Sequence, residues 1–250
     1  MPHEFEVREE IELAATPEEV WEAIATGPGV DSWFMGRNQI EPRVGGRNLW
    51  ETPLFSAEST VTAYDPPHHY AYRSDEAPDG QFMAFEYLVE GREGGSSVLR
   101  FVHSGFLGDD WEEEYDAIKK GDRQYLNKLA VYLKHFKGRT SLHNLFLVGP
   151  QVADEQRVWS AFKDAFGLTG DVAPGDKGRL AVEGLAPMDA VVEFEAAPHF
   201  LGVRAGDGIS MLIYGHESTV VVERHEFSAD ADGKELEGAW QSWFTAAFGN

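Results

Sequence analysis

The chain has 250 residues with 43 acidic and 21 basic side chains, a formal net charge of −22, and no cysteine. A surface of this sign repels nucleic acid and anionic membranes, and the missing cysteines exclude disulfides, thiolate metal sites, Fe–S clusters and cysteine catalysis. Hydrophobic residues make up 42% of the chain, which is enough for a folded core. A membrane span needs about 18 consecutive apolar residues, and no apolar run approaches this length. No secretory signal is visible, so we expect a cytoplasmic protein.

The N-terminal region predicts a strand followed by a short helix. Apolar residues fill four of the five odd positions from Phe5 to Leu13, which is the period of a half-buried strand. Thr16 and Glu19 have the spacing of a capping box, and Pro17 suits the first helical position. Gly27-Pro28-Gly29 predicts the end of this helix.

The middle of the first half predicts an antiparallel sheet, because segments rich in Val, Thr, Tyr and Phe alternate with Gly and Pro turns. The predicted strands are residues 58–64, 69–73, 82–90 and 97–103. Apolar residues then recur at helical spacing from Tyr125 to Phe136, and Gly138 is a plausible end of this long helix. The acidic run over residues 109–116 is expected to form the solvated start of the helix.

Segments of the second half repeat segments of the first half in the same order. Residues 20–24 match 158–162, residues 67–73 match 198–204, residues 98–103 match 220–225, and Leu129, Tyr132 and Leu133 match Trp240, Trp243 and Phe244. The offset falls steadily along the chain, as it would in a tandem duplication with shortened loops. The expected domains are residues 1–139 and 140–250, with net charges of −12 and −10, so the acidity is shared by both.

Several of these stretches resemble a known superfamily. The segment from Thr16 to Trp21 resembles the start of SRPBCC, or START-like helix-grip, domains, and Trp33-Phe34 resembles the tryptophan motif that follows it. Gly45-Gly46, the segment from His103 to Phe106 and the helix over residues 125–136 resemble the branch named for activators of the heat-shock protein 90 ATPase. The resemblance implies an α+β fold of two tandem helix-grip domains, each a curved antiparallel sheet wrapped on a long C-terminal helix. It also implies a cavity between sheet and helix in the first domain.

Small-molecule pockets are mostly apolar with a few placed polar groups, and the first domain offers such a set. The candidate ligand-binding residues are Trp33, Phe34, Trp50, Tyr72, Phe85, Tyr87, Phe101, His103, Tyr125 and Tyr132. The alternative interpretation is that these aromatic side chains simply fill the core.

His103 is the candidate for catalysis, because a histidine at a strand end could act as an acid or base near neutral pH. The repeat matches it to His225. A position present in both halves also fits a hydrogen-bonded structural histidine that serves the fold.

No metal or cofactor is expected. His68 and His69 are adjacent in a predicted strand and point to opposite faces, so they cannot bind one ion together. The glycine-rich segment over residues 91–95 lacks the Lys and Ser or Thr of a phosphate-binding loop.

Three functions remain open. The first is binding of a hydrophobic small molecule under the long helix of the first domain, with the second domain a mainly structural copy. The second is a cyclase, dehydratase or hydrolase in which His103 works with Tyr87 or Tyr132. The third is a co-chaperone-like interaction protein whose acidic surface meets a basic protein partner.

Overall fold

A computed structural model describes residues 2–109 and 111–249, so Asp110 of the acidic run lies outside the described residues. The chain divides into two compact units, residues 1–140 and residues 141–250. Each unit contains one antiparallel sheet and one long C-terminal helix, so the predicted α+β fold of two tandem helix-grip domains is confirmed.

The first domain is built on a seven-stranded antiparallel sheet. Its strands are β1 (His3–Leu13), β2 (Arg37–Ile40), β3 (Arg47–Glu51), β4 (Ser56–Asp65), β5 (His69–Ser74), β6 (Phe82–Arg92) and β7 (Ser96–Leu107). They lie in the order β1-β7-β6-β5-β4-β3-β2, so the first and last strands are neighbours. The short strands β2 and β3 were not predicted, because runs of four and five residues with few β-branched side chains carry little local signal.

Three helices accompany this sheet: α1 (Pro17–Ile24), α2 (Gly27–Val30) and α3 (Trp111–His135). The predicted capping box is present, since Glu19 donates its backbone N–H to the Thr16 hydroxyl and its carboxylate accepts from the backbone N–H of Thr16. Helix α1 ends at Ile24, before the predicted stop. Gly27-Pro28-Gly29 instead begins α2, because Thr26 caps it and Pro28 fits a first helical turn.

The second domain has the same topology with one strand fewer. Its elements are β8 (His143–Gln151), α4 (Glu155–Asp164), β9 (Lys177–Arg179), β10 (Asp189–Ala196), β11 (Phe200–Ala205), β12 (Gly208–Tyr214), β13 (Thr219–Glu226) and α5 (Gly233–Phe248). The strand order β8-β13-β12-β11-β10-β9 repeats that of the first domain. The predicted duplication is therefore visible in the connectivity.

One turn has the same histidine contact in both domains. His68 and His199 each follow a cis-proline, Pro67 and Pro198. The Nδ1 atom of His68 lies 3.3 Å from the Val89 carbonyl oxygen, and that of His199 lies 3.1 Å from the Tyr214 carbonyl oxygen. The turn therefore serves the fold in both domains.

Each domain has its own core. In the first, Leu13, Ile24, Leu99, Leu129 and Leu133 are fully buried, and α3 packs on β1 and β7. In the second, the core joins the inner sheet face to α4 and α5 and contains Val158, Phe162, Leu212, Val222 and Trp240. None of the helices in the described ranges is both long and apolar enough to cross a bilayer.

Candidate functional site

Two rows of side chains cross the inner face of the first sheet beneath α3. In one row Tyr70 on β5 pairs with Tyr87 on β6, which pairs with Phe101 on β7. In the other row Tyr72 pairs with Phe85, which pairs with His103. Side chains two residues apart on a strand share a face, so all six point to the same side of the sheet. The sheet thus gathers three phenols and an imidazole in one place.

The second domain carries different residues at the same positions. Its register places Leu201 and Leu212 where the first domain has Tyr70 and Tyr87, and Val203 where it has Tyr72. Leu201, Val203 and Leu212 lie in the apolar core of their domain. The same sheet therefore folds with aliphatic residues at these places, and the fold does not require the three tyrosines.

The second-domain residue that corresponds to His103 is Arg224 rather than His225. His103 lies opposite Val7 in the β1–β7 pair, and the matching residue of β8, Leu145, lies opposite Arg224. Strand residues alternate between faces, so His225 lies on the face opposite to Arg224. The sequence match of residues 98–103 to 220–225 is thus out by one residue, and the expected equivalence of His103 and His225 is wrong.

Tyr70 and Tyr87 are buried and Tyr72 is partly buried, and the three phenols have unequal surroundings. The phenols of Tyr72 and Tyr87 lie close enough for each to affect the pKa of the other. Among the described residues, the Tyr70 hydroxyl has no hydrogen-bond partner, and the whole side chain is buried. Burial raises the pKa of Tyr70, Tyr72 and Tyr87 above the usual value for a phenol. Neighbouring phenols raise the pKa of Tyr70 and Tyr87 further, whereas Tyr87 lowers that of Tyr72, and the Asp122 carboxylate raises the pKa of Tyr72 and Tyr87. They are neutral phenols across the physiological range.

His103 is held by a carboxylate from the long helix. Its Nδ1 atom lies 2.9 Å from Oδ2 of Asp122, and both side chains are largely buried. An ionised carboxylate is only an acceptor, so Nδ1 carries a proton and Nε2 of the neutral ring has a free lone pair. In the described part of the chain that Nε2 atom has no partner. The Phe85 ring stacks on the imidazole with centroids 4.1 Å apart, which fixes its plane.

A second aromatic group lies between α2 and α3. Phe34 is in the middle of it, with ring centroids 4.8 Å from Tyr125, 5.2 Å from Trp50 and 5.5 Å from Trp33. The Trp50 ring contacts Phe55, which is 43% exposed. This chain of rings leads from the surface to the inner face of the sheet.

Three predicted site residues have clear structural duties. The Trp33 indole donates to the Ala23 carbonyl at 2.8 Å, and the Trp50 indole donates to the Met35 carbonyl at 3.0 Å. The Tyr132 hydroxyl donates to the Arg139 carbonyl at 2.9 Å. Tyr132 is therefore committed to the end of α3, and no contact joins it to His103 in the described structure.

The space beneath the tyrosines is small. It measures about 20 Å3, which is enough for one water molecule, whereas ligand pockets usually measure about 300–1,000 Å3. Its lining consists of Ile24, Val30, Trp33, Phe34, Asn38, Ile40, Asn48, Tyr70, Tyr72 and Tyr87. The polar groups at its edge are thus three phenols and two amides.

Asp31 supports one of those amides. Its Oδ1 atom accepts from the backbone N–H of Asn38 at 2.6 Å and from the Asn38 side chain at 3.1 Å. Burial raises the pKa of the Asp31 carboxyl, and the two hydrogen bonds from Asn38 oppose that rise. The orientation of Asn38 beside the space is therefore fixed.

The two adjacent histidines serve separate contacts. His68 faces the Val89 carbonyl, and His69 Nε2 lies 2.8 Å from Oε1 of Glu86. Within residues 2–109 and 111–249, no group of three or more His, Asp or Glu side chains is placed to hold a metal ion.

Sequence reasoning missed Asp122, Asn38 and Asn48. Asp122 precedes Tyr125 by three residues, so helical spacing alone could have placed it on the inner face of α3. Asn38 and Asn48 lie on the unpredicted strands β2 and β3, where no local pattern marked them.

One family model matches most of the first domain. Residues 14–134 match the family model described as activator of Hsp90 ATPase homolog 1-like protein. No curated protein matches the chain.

Several solved structures are similar in fold. A protein from Mesorhizobium loti is 22% identical over 53% of this chain and 99% of its own, with a TM-score of 0.47. The Aha1 dimer from Colwellia psychrerythraea is 19% identical over 54% of this chain and 99% of its own, with a TM-score of 0.45. The di-domain ARO/CYC protein BexL is 13% identical over 97% of each chain, with a TM-score of 0.48.

Proposed function

We infer that this chain binds a small aromatic molecule. Its first domain belongs to the activator of Hsp90 ATPase homolog 1-like family of helix-grip domains. The ligand would lie between the inner sheet face and the helices of the first domain, against Tyr70, Tyr72 and Tyr87. The second domain would be a structural copy without that site.

One observation carries the proposal. The first domain places three phenols, two of them buried, where the second domain has Leu201, Val203 and Leu212. A buried hydroxyl without a partner costs about 1–3 kcal/mol, so an unpartnered Tyr70 hydroxyl is a poor choice for a purely structural core. A ligand that pairs with this hydroxyl would recover that cost.

Ligand entry requires a side chain to move, because the space has room for only one water molecule. Phe34 is the best candidate. It lines the space, it is only partly buried, and its neighbour Trp50 leads to the exposed Phe55. Rotation of the Phe34 ring would join the space to this aromatic path.

The test uses N-phenyl-1-naphthylamine, a neutral fluorescent aromatic probe. We expect the wild-type chain to bind one probe per chain, and Phe34→Ala to raise the association rate at least fivefold because the blocking ring is gone. Phe82→Ala is the matched control, since that ring packs against Phe106 and Arg73, lies outside the entry path and does not line the space. Absence of probe binding by both the wild type and Phe34→Ala would overturn the proposal.

A second candidate function is acid–base chemistry on a ligand that extends past the lining to His103, and the His103–Asp122 pair favours it. His103 does not line the space, and Phe85 packs between it and the lining residue Tyr72. With Nδ1 protonated toward Asp122, the His103 Nε2 lone pair could remove a proton next to a ligand carbonyl and leave an enol or enolate. This is the first step of many cyclisation and dehydration reactions.

Deuterium exchange of 2-tetralone in D2O tests this second candidate by NMR. The wild type should catalyse exchange of the protons beside the carbonyl, and His103→Gln should lose the catalysed part while still binding the naphthylamine probe. His68→Gln is the control, because that imidazole lies on a turn present in both domains. Exchange no faster than in buffer would eliminate this candidate.

A further inference from the structure

The charge of the candidate site restricts the class of ligand. Of the described residues that line the space, none is Lys, Arg or His. The lining offers the hydroxyls of Tyr70, Tyr72 and Tyr87 and the amides of Asn38 and Asn48, all of them uncharged hydrogen-bonding groups.

Charged groups of both signs lie around the lining, and Arg37 acts on the Asp31 carboxyl. Asp31 binds Asn38, and the Asp122 carboxylate is close enough to Tyr72 and Tyr87 to raise the pKa of both. The buried Lys128 on α3 lies with its Nζ atom 5.5 Å from the centre of the Tyr125 ring and does not line the space. A carboxylate headgroup in the space would therefore be buried with no cation among the residues that line it.

The aromatic lining also favours one shape of ligand. Trp33, Phe34 and the three tyrosines present ring faces and edges, whereas the aliphatic members of the lining are only Ile24, Val30 and Ile40. Offset and edge-to-face contacts with rings add to simple area burial. A flat ring system matches these walls better than a flexible acyl chain.

We propose that the site of the first domain selects neutral aromatic molecules with a hydroxyl or ketone group, and rejects carboxylates of the same ring system, including fatty acids. The hydroxyl of Tyr70 is the specific partner of the ligand oxygen, because it is fully buried at the edge of the space and has no other partner in the described structure. This inference rests on the proposed binding function.

Three probes with one ring system separate the possibilities: naphthalene, 2-naphthol and 2-naphthoate. Equilibrium dialysis at pH 7 should give 2-naphthol an affinity about five- to tenfold higher than naphthalene, as one recovered hydrogen bond implies. We expect 2-naphthoate to bind at least tenfold more weakly than 2-naphthol.

Two variants test whether the Tyr70 hydroxyl causes the preference for 2-naphthol. Tyr70→Phe should remove the advantage of 2-naphthol over naphthalene, measured as the ratio of the two affinities in the same protein. Tyr64→Phe is the matched control. Its ring contacts Tyr70 and Trp21 but does not line the space, so both affinities should stay within twofold of wild type.

The results distinguish the proposed selectivity from the proposed binding function. Equal or tighter binding of 2-naphthoate, or an unchanged preference in Tyr70→Phe, overturns the selectivity. If naphthalene binds and 2-naphthol binds no tighter, the selectivity is wrong while the binding function stands. If no probe binds, both are wrong.

Discussion

The imidazole of His103 on β7 and the carboxylate of Asp122 on α3 form a buried pair, with Nδ1 and Oδ2 2.9 Å apart. The pair joins the inner face of the sheet to the long helix. Arg224 occupies the position of His103 in the second domain and bonds to Glu226, Ser210 and the Ala205 carbonyl instead. The His–Asp pair is therefore specific to the first domain, although both sheets bury a charged or polar group there.

Removing the carboxylate should destabilise the first domain. Asp122→Leu leaves a buried N–H of His103 without an acceptor, so we expect the free energy of unfolding to fall by about 1–3 kcal/mol. The double variant His103→Phe/Asp122→Leu should recover most of this loss, because no unpaired polar group remains. Urea denaturation of the three proteins measures it, and an Asp122→Leu variant as stable as wild type would contradict the pairing.

The tyrosine cluster predicts the response to alkali. The folded-state pKa of Tyr70, Tyr72 and Tyr87 lies above the unfolded value of about 10. Their contribution to stability is therefore fully present below pH about 10 and is lost as the pH rises further. Phenolate absorbance should rise in a late phase that coincides with loss of tertiary circular dichroism.

Tyr70→Phe tests the contribution of one phenol to this response. The late phase of phenolate absorbance should have a smaller amplitude in this variant than in the wild type. Stability at pH 7 should be equal to wild type or up to about 1 kcal/mol higher, because the variant removes a buried hydroxyl without a partner. A loss of more than 1 kcal/mol at pH 7 would mean that the hydroxyl is well paired after all.

Local patterns predicted most elements, because their causes are local. The alternation over residues 5–13 gave β1 as far as Leu13, and the Thr16–Glu19 capping box gave the start of α1. Gly138 has a positive φ of 77°, a conformation that a glycine adopts without strain, and the long helix ends at His135 just before it.

The site was harder to predict, because its geometry depends on register and on contacts distant in sequence. A one-residue error in the repeat moved His225 to the wrong face of its strand, since faces alternate at every residue. The contact of His103 with Asp122 spans a strand end and about three turns of helix, and no spacing rule joins them. The small volume of the space depends on how Phe34 packs, which composition does not reveal.

Asp31 predicts opposite effects for two substitutions. Its buried carboxyl has a raised pKa, so the ionised form opposes folding at neutral pH while its Oδ1 atom accepts two hydrogen bonds from Asn38. Asp31→Asn keeps an acceptor and removes the charge, so we expect stability at pH 7 to stay equal or rise by up to about 1 kcal/mol. Asp31→Ala should lose about 1–3 kcal/mol, because the Asn38 donors lose their acceptor.

The pH dependence of stability tests whether the pKa of the Asp31 carboxyl is raised in the folded state. A raised folded-state pKa means that wild-type stability falls as the pH rises through the folded value and is highest, for this group, below the unfolded value of about 4. The gap between Asp31→Asn and wild type should therefore narrow as the pH falls toward 4. A gap that widens on acidification would contradict a carboxyl whose pKa is raised.

The second domain supplies the last prediction, at the buried Arg224–Glu226 pair. Arg224 is fully buried and its guanidinium bonds to Glu226, Ser210 and the Ala205 carbonyl. Arg224→Met leaves the Glu226 carboxylate buried without its cation, so we expect a loss of about 3–5 kcal/mol in the free energy of unfolding. The double variant Arg224→Met/Glu226→Leu should regain much of that loss, since replacing a whole buried ion pair by apolar groups is often neutral.

The control for this pair is an exposed ion pair in the first domain. Arg100 and Glu10 are 2.9 Å apart and about half exposed, so Arg100→Met should cost less than about 1 kcal/mol. Urea denaturation followed by circular dichroism compares the variants. If Arg224→Met costs no more than Arg100→Met, Arg224 is not the buried cation that balances Glu226.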